Sequence, residues 1–246
     1  MKFSPVLVVS LAAIVLSSCV GPTTAVRPGA VSTRDVLGHR AGPQGFRTVV
    51  IDAGHGGKDS GAVNHATGLR EKDLTLDTAR RLQAELSGQF HVVMLRSDDT
   101  FIELDERVAL ASGYADGILI SIHYNQTNAS SVAGPETYFW RVDSHGLAVR
   151  AQTALSALSP SHSKRGLVRR KIRLTRNPEI PCFLVECGYL SNPAESSRCG
   201  NPAYRQALAH ALAGAIRAQA AQGDAGTGPL PPPLNAPPSK ASDARE

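Results

Sequence analysis

Four residues that can bind a metal or move a proton lie at the ends of predicted strands or at the start of a predicted helix. His55 ends the turn after the strand-like run in Thr48–Gly57, His123 ends G-I-L-I-S-I-H, and Glu186 ends P-C-F-L-V-E. Glu71 opens the next predicted helix, sixteen residues after His55. In open α/β sheets, ligands and catalytic groups collect beyond the carboxyl ends of the strands. The spacing therefore predicts a single site to which all four side chains contribute.

A set of two histidines and one glutamate can hold a divalent metal. Catalytic zinc is bound by three protein ligands, and a fourth position is left for water. His55, Glu71 and His123 supply such a set, and Glu186 would lie beside the open position. A carboxylate at a helix amino terminus is also favoured by the helix dipole. Capping is therefore the alternative role of Glu71 when that residue is considered without its neighbours.

The sequence does not match the motifs of three other kinds of functional site. D-A-G-H-G-G-K-D-S looks like a phosphate-binding loop, but that motif needs glycine at the position of Asp52 and Ser or Thr at Asp59. The sequence contains neither G-x-S-x-G nor H-E-x-x-H, which argues against a serine-hydrolase elbow and a zincin helix. Surface or packing roles are expected for five further histidines, His65, His91, His145, His162 and His210.

The beginning of the chain predicts export and attachment to a membrane. Residues 1–18 carry Lys2 and then a mostly apolar run, Val6–Leu16, which is short for a membrane span and suits a secretory signal. L-S-S-C, ending at Cys19, resembles the lipobox of bacterial lipoproteins, whose cysteine is acylated. Val20 is not the acidic residue that tends to retain such lipoproteins at the inner membrane. The resemblance implies a periplasmic protein anchored to the outer membrane; the alternative is an ordinary cleaved signal.

Two segments of low apolar content flank one predicted domain. Residues 19–45 are rich in Gly, Pro, Thr and Ser and are predicted to form a flexible tether. Residues 222–246 contain G-P-L-P-P-P-L-N-A-P-P-S-K and are predicted to form a disordered, proline-rich tail. Residues 46–221 have the length of one compact domain.

Strand and helix patterns alternate within that domain. Leu74, Thr78, Leu82 and Leu86 recur every four residues before Gly88, which predicts an amphipathic helix. Further strands are predicted at 90–95, 117–122, 137–142 (as an edge strand), 167–174 and 181–185, and further helices at 103–113, 146–158 and 203–221. This alternation predicts a single-domain α/β fold, a largely parallel twisted sheet with helices on both faces.

The formal charge of +5 does not indicate a nucleic-acid partner. Seven of the thirteen residues in Lys164–Arg176 are basic, and this basic stretch would attract an anionic surface or substrate. The alternative is that these charges protect an exposed strand edge from pairing with other chains, which explains the same pattern. Aromatic residues of the kind that stack on bases are absent from the stretch.

The cysteines do not define a disulfide pattern. Cys182 and Cys187 lie on one predicted strand at a spacing that directs them to opposite faces, so they are not expected to bridge each other. A pairing of Cys199 with one of them stays open.

Six motifs, in order along the chain, resemble one enzyme family. They are D-A-G-H-G-G-K-D-S-G-A, L-R-E-K-D-L-T-L, L-R-S-D-D-T-F-I-E-L-D-E-R, S-I-H-Y-N, G-P-E-T-Y-F-W and P-C-F-L-V-E-C-G-Y-L-S-N. Together they resemble the zinc-dependent N-acetylmuramoyl-L-alanine amidases of the cell-division and sporulation type. The resemblance implies that His55, Glu71 and His123 bind Zn²⁺ and that Glu186 is the catalytic carboxylate. Tyr124 and Cys187 depart from the family pattern and are expected to alter substrate fit.

The resemblance also implies a reaction. The substrate would be peptidoglycan, and the bond cleaved would be the amide between the lactyl group of N-acetylmuramic acid and L-alanine of the stem peptide. The basic stretch would suit the stem-peptide carboxylates. Two alternatives stay open: a zinc peptidase that cuts within the stem peptide, and a noncatalytic wall-binding lipoprotein.

Regulation is expected to differ from that of the division amidases. Members of that group often carry a helical insertion that blocks the zinc until an activator protein binds. Here the interval Arg141–Pro181 already accommodates one helix and the basic strand. We therefore expect a constitutively open site, and the sequence does not reveal whether an activator exists.

Overall fold

The computed structural model describes Met1, residues 41–160 and residues 166–234. The predicted signal beyond Met1, Cys19, most of the tether, Lys164 and Arg165 of the basic stretch, and residues 235–246 of the tail lie outside the described residues. None of the helices within the described ranges combines the length and the apolar character that crossing a bilayer requires.

A six-stranded sheet forms the centre of the domain, and two further strands form a separate hairpin. The strands are β1 (Thr48–Ala53), β2 (Val63–Asn64), β3 (Leu69–Arg70), β4 (His91–Met94), β5 (Gly117–Asn125), β6 (Glu136–Phe139), β7 (Leu167–Arg169) and β8 (Cys182–Tyr189). The helices are α1 (Glu71–Leu86), α2 (Leu104–Ser112), α3 (His145–Leu158), α4 (Arg173–Arg176), α5 (Pro193–Gly200) and α6 (Pro202–Gln222). The order in the main sheet is β4-β1-β5-β8-β6-β7, and β2 and β3 form a separate hairpin.

The sheet is parallel except where β6 meets β8. The predicted α/β class with a largely parallel sheet is therefore confirmed. Because β6 runs against β8 and β7 runs with β6, both strands begin at the edge of the sheet where β1, β5 and β8 end. The carboxyl ends of β1, β4, β5 and β8 and the amino ends of β6 and β7 thus lie at the same edge.

Two strand predictions need correction. The predicted edge strand 137–142 is β6, which lies inside the sheet because β7 pairs with its outer side. The predicted strand 167–174 ends at Arg169, since the Ile172 N–H donates to the Arg170 carbonyl at 2.9 Å and turns the chain sharply. Ile172 then packs back onto Tyr138 and Leu184.

Side chains of the sheet point alternately to two faces, which are covered differently. On the back face, Ile51, Ile120 and Val185 pack with helices α1, α3 and α6 in the main core. On the front face, Leu119 packs against Ala111 of α2, and α4 contacts β8. The front face is thus covered by short helices, whereas the long helices lie behind the sheet.

The described parts of the predicted tether and tail contact the domain. The Gly45 N–H donates to the Ala220 carbonyl at 2.9 Å, and the Leu234 N–H donates to the Arg169 carbonyl at 2.7 Å. Gly45 precedes β1 and Arg169 ends β7. Both contacts therefore lie at the edge of the sheet opposite to the carboxyl ends of β1, β5 and β8.

Leu82→Ala should destabilise the domain because Leu82 of α1 is fully buried in the main core. Removing such a side chain typically lowers the free energy of unfolding by about 2–5 kcal/mol. Urea denaturation followed by circular dichroism measures the change. The control is Leu110→Ala on α2, where the leucine is 43% exposed and the expected change is within about 0.5 kcal/mol. Equal effects of the two substitutions would contradict this assignment of the core.

Candidate metal centre

His55 sits in an unusual backbone conformation at the end of β1. Among the described residues it is the one non-glycine residue with a positive φ, 62°. Such a conformation costs about 1–3 kcal/mol and persists where the surroundings impose it. Gly56 follows with φ 128°, and a Cβ there would lie 2.2 Å from the Thr100 carbonyl oxygen. The glycine that follows the histidine in the sequence is thus required by the turn that presents it.

Two buried arginines hold this turn in place. Arg107 Nη2 donates to the His55 carbonyl at 2.7 Å, and Arg96 donates to the carbonyls of the two preceding residues at 2.8 Å each. Asp52 is fully buried and accepts from Arg107 at 2.5 Å and from Ser121 Oγ at 2.6 Å. Burial raises the pKa of Asp52, but the charge of Arg107 and the bond from Ser121 outweigh it, so the pKa is lowered. Neither arginine belongs to a motif that marks it as functional in the sequence.

Three of the predicted residues converge as a triad. Glu71 Oε1 lies 3.0 Å from His55 Nε2 and 3.0 Å from His123 Nδ1, and one ligand atom of each residue lies within 4.8 Å of the other two. A tetrahedral zinc with bonds of about 2.0–2.1 Å separates its ligand atoms by about 3.3 Å. All three residues are buried. The arrangement can therefore hold a metal ion of this size.

Further hydrogen bonds orient the triad. Asp59 Oδ2 lies 2.8 Å from His55 Nδ1, which leaves Nε2 directed at Glu71. Glu71 Oε2 accepts from the Ala62 N–H at 2.7 Å, and Oε1 accepts from the Tyr124 N–H at 2.9 Å. Partners of this kind fix the orientation and tautomer of metal-binding side chains.

Proton and metal compete for His55. Burial lowers the pKa of His55, but the charge of Glu71 and the bond to Asp59 outweigh it and raise the pKa to about 10. Burial opposes ionisation of Glu71 as well, yet His55 and His123 hold its pKa below the usual range. Because a metal binds the neutral imidazole, its binding must release this proton.

In the part of the chain that the structure describes, one ring nitrogen of His123 is buried without a partner. Its Nε2 is buried and has no hydrogen-bond partner among the described residues, and a buried polar atom left in this state costs about 1–3 kcal/mol. A Cβ on Gly54 would lie 2.5 Å from this nitrogen, and a Cβ on Gly61 would lie 2.5 Å from Glu71 Oε2. Two glycines therefore keep the space around the triad free of side chains.

Glu186 lies in the same row of the sheet as His123. The two residues pair across β5 and β8, and Glu186 pairs on its other side with Glu136 of β6. Residues paired in this way point to the same face, so all three lie on the front face. The structure thus brings the four predicted residues together. It adds Glu136, which the sequence analysis contained within G-P-E-T-Y-F-W but did not single out.

Tyr124 and Cys187, which depart from the family pattern, lie on the opposite side of the sheet from Glu186. Both are buried in the main core behind the sheet, and the Tyr124 hydroxyl bonds to Thr78 Oγ1 of α1 at 2.7 Å. Alternation along the strands directs their side chains away from the face that carries His123 and Glu186. Cys182 packs on the front face, as its spacing from Cys187 predicts, and Cys182, Cys187 and Cys199 are free thiols.

The described part of the basic stretch does not form one surface. Arg169 ends β7 at the edge of the sheet far from Glu186, where its guanidinium lies 5.6 Å from the centre of the Trp140 ring. Arg173 instead pairs with Asp105 at the start of α2 on the front face. Of these two arginines, Arg173 is the one on the face that carries His123 and Glu186.

Comparisons with known proteins agree with the geometry. Residues 49–218, more than half of the chain, match the family model described as N-acetylmuramoyl-L-alanine amidase. The chain is 36% identical over 175 residues to the uncharacterized protein YqiI of Bacillus subtilis (strain 168), covering 69% of this chain and 83% of YqiI. It is 34% identical over 188 residues to the N-acetylmuramoyl-L-alanine amidase LytC of the same strain, covering 74% of this chain and 37% of LytC.

A solved structure extends the similarity to the fold. It is the catalytic domain of CwlV, an N-acetylmuramoyl-L-alanine amidase from Bacillus (Paenibacillus) polymyxa var. colistinus. The two chains superimpose with a TM-score of 0.66 at 34% identity, over 70% of this chain and 96% of that domain. This chain therefore spans nearly all of a catalytic domain but little more than a third of LytC.

Gly54→Ala should weaken metal binding because the new methyl group would meet the His123 ring at 2.3–2.7 Å. Displacing a residue that orients a metal ligand typically lowers affinity about 10- to 100-fold. Competition with a chromophoric chelator measures the zinc affinity, and circular dichroism checks the fold. Gly214→Ala in α6 is the control, because a Cβ there has no atom within 4 Å. Equal zinc affinities of the two variants would contradict the position assigned to His123.

Proposed function

Because the chain belongs to the N-acetylmuramoyl-L-alanine amidase family, we propose that it is a zinc-dependent peptidoglycan hydrolase. The bond cleaved is the amide between the lactyl group of N-acetylmuramic acid and L-alanine of the stem peptide. One observation carries the proposal: His55, Glu71 and His123 form one cluster, and His123 of that cluster pairs with Glu186 across β5 and β8.

The metal and the protein have separate tasks in this reaction. His55, Glu71 and His123 would hold the zinc, which would supply polarisation of the substrate carbonyl and a lowering of the pKa of water towards about 7. Asp59 and the buried arginines hold the ligands in position. The burial of the triad limits competing water around the reacting groups.

Glu186 moves the proton. It accepts a proton from the attacking water as the new C–O bond forms, and it returns that proton to the L-alanine nitrogen as the C–N bond breaks. The products are a muramic acid carboxylate and a free peptide amine. General acid–base catalysis of this kind typically contributes about 10²- to 10⁴-fold to the rate. The ladder pairing with His123 supports this role because it holds Glu186 next to a metal ligand.

Arg173 is our candidate for binding the stem peptide. Its Nη2 pairs with Asp105, which is 74% exposed at the side chain, and the Arg173 side chain is itself 21% exposed. Arginine recognises carboxylates through several N–H donors at once. A stem-peptide carboxylate that reaches the front face would therefore compete with Asp105 for the Arg173 guanidinium.

The site is proposed to be open without an activator. Within the described part of the interval between β6 and β8, the long helix α3 packs on the back face with α6, on the opposite side of the sheet from Glu186. The helix of this interval on the front face is α4, which has four residues and packs against β8. Export to the periplasm, and anchoring to the outer membrane through a lipid on Cys19, complete the proposal and rest on the signal sequence alone.

The two alternatives predict different outcomes. A zinc peptidase acting within the stem peptide would use the same metal set but release shortened peptides. A noncatalytic wall-binding protein would need no complete site, whereas the metal set and the adjacent carboxylate are all present here. The intact site favours an enzyme.

Glu186→Ala should keep zinc and lose turnover, because the carboxylate moves protons and does not belong to the triad. We expect kcat to fall about 10²- to 10⁴-fold with one zinc per chain retained. His55→Ala should lose both zinc and activity, and His210→Ala, whose side chain is 74% exposed, should lose neither. Dye release from labelled cell wall measures turnover, and elemental analysis measures zinc. Wild-type turnover by Glu186→Ala would refute its role.

Product analysis tests the bond that is cleaved. Mass spectrometry of digested muropeptides should find glycan free of peptide together with intact stem peptides that carry a new L-alanine amine. A chelator should abolish the release, and added zinc should restore it. Shortened stem peptides would instead support the peptidase, and retention on insoluble wall without soluble product would support the binding protein.

A further inference from the structure

Two of the three free thiols lie on the same side of the sheet, on elements that contact each other. Cys187 belongs to β8 and Cys199 lies near the end of α5, and both are 1% exposed within the main core. Cys182 packs in a separate cluster on the front face. The sequence leaves open which of the two strand cysteines could pair with Cys199. Since the sheet separates Cys182 from Cys199, the fold selects Cys187.

An irregularity in β8 brings two successive residues to the back face. The three steps from Glu186 to Tyr189 correspond to only two steps along β5. The extra residue is a β-bulge, at which two residues of one strand oppose a single residue of its neighbour. Tyr189 lies on the front face with Glu186, because its hydroxyl donates to Glu136 Oε1 at 2.7 Å. Cys187 and Gly188, which lie between them, therefore both face the core behind the sheet.

The sulfur of Cys199 lies against this bulge. A Cβ added to Gly188 would be 3.0 Å from Cys199 Sγ, so the sulfur occupies the space that a side chain at Gly188 would need. The side chain of Cys187 starts from the adjacent position on the same face. The two sulfur atoms are therefore neighbours within the main core.

Hydrogen bonds hold α5 in this position. The Tyr189 N–H donates to Glu195 Oε2 at 2.8 Å, and Asn192 Oδ1 accepts from the Glu195 N–H at 3.1 Å in the first turn of the helix. At the other end, Arg205 of α6 donates to the Cys199 carbonyl at 2.7 Å. Both ends of α5 are thus tied to neighbouring elements, which keeps Cys199 beside the bulge.

We propose that Cys187 and Cys199 are a disulfide site, which closes into a bond between β8 and α5 when the chain meets a disulfide oxidant, while Cys182 stays a thiol. One thiolate of the pair attacks the S–S bond of the oxidant, forms a mixed disulfide and releases one oxidant thiol. The second thiolate attacks the protein sulfur of the mixed disulfide and releases the other. The pair loses two electrons and two protons, and the oxidant gains both as two thiols. The inference does not depend on the proposed function.

Burial makes the thiols of the closed fold slow to react. It raises the pKa of Cys199 to about 12, and it raises the pKa of Cys187 well above the usual range, an effect to which the nearby Cys199 adds. The thiolate is the attacking species. The bond therefore forms before the core has closed, or when α5 opens. The predicted export would bring the unfolded chain into an oxidising compartment, where disulfides persist.

Peptide mapping without reduction tests the pairing. The reduced full chain is unfolded in urea and refolded with oxidised glutathione, its remaining thiols are alkylated, and it is cleaved after lysine, arginine and glutamate. This cleavage places the three cysteines on separate peptides, 180–186, 187–195 and 199–205. We expect a disulfide between 187–195 and 199–205 and an alkylated 180–186. Alkyl groups or glutathione on both members of the pair, or a bond from either one to another cysteine, would overturn the proposal.

The bond should also stabilise the native fold. Cys187 and Cys199 are twelve positions apart, and closing a loop of this length should raise Tm by about 6–12 °C over that of the reduced chain. Circular dichroism measures Tm in both redox states. An unchanged or lower Tm of the oxidised chain would mean that the native fold does not accommodate the bond, and the proposal would be wrong.

Two variants serve as controls. Cys199→Ser should abolish the difference in Tm between the redox states, and Cys182→Ser should preserve it. A difference that persisted in Cys199→Ser, or that disappeared in Cys182→Ser, would assign the bond to another pair and overturn the proposal. Each variant is compared with itself in two redox states, so a lower stability of the variant does not affect the comparison. If a variant did not fold, the peptide map of the unsubstituted chain would still decide.

Discussion

The register of three neighbouring strands is the constraint on which the rest of the structure depends. The Gly54 N–H donates to the Ile122 carbonyl at 3.0 Å, and His123 pairs with Glu186 on β8. Because side chains alternate along a strand, a slip of one residue would move His123 and Glu186 to the back face. The main core behind the sheet, which includes Val185, opposes such a slip. Core packing therefore also maintains the geometry of the site.

The His55 turn needs a second source of stability. A positive φ at a histidine is unfavourable, and Arg107 compensates by binding the His55 carbonyl and the buried carboxylate of Asp52 together. A buried ion pair of this kind is not a strong stabiliser by itself, but losing one partner leaves the other charge uncompensated. The pair therefore acts mainly by fixing one conformation of the turn, which is the conformation that directs His55 at Glu71.

The sequence predicted the parts of the fold and the site that follow simple periodicity. The parallel strands and α1 appeared as apolar patterns, and the triad and Glu186 were found because each follows a strand or opens a helix. The position of Glu136 at the site was not predicted because β6 runs antiparallel to β8, so a residue at the start of β6 lies at the edge where the other strands end. The role of Arg107 was not predicted because, in sequence, a buried arginine on a short amphipathic helix looks like a surface charge. The turn that ends β7 was not predicted because its basic residues resemble a charged strand edge.

Proximity in the sequence was therefore a poor guide to proximity at the site. Cys187 adjoins Glu186 in the chain, yet strand alternation directs it into the core behind the sheet. Tyr138 and Tyr189 are more than fifty residues apart, yet their hydroxyls meet on one carboxylate. A substitution at Cys187 would consequently change the packing of the core. It would affect the site only by shifting the backbone of β8. A substitution of either tyrosine by phenylalanine would remove a hydrogen bond to Glu136, which pairs with Glu186 across β6 and β8.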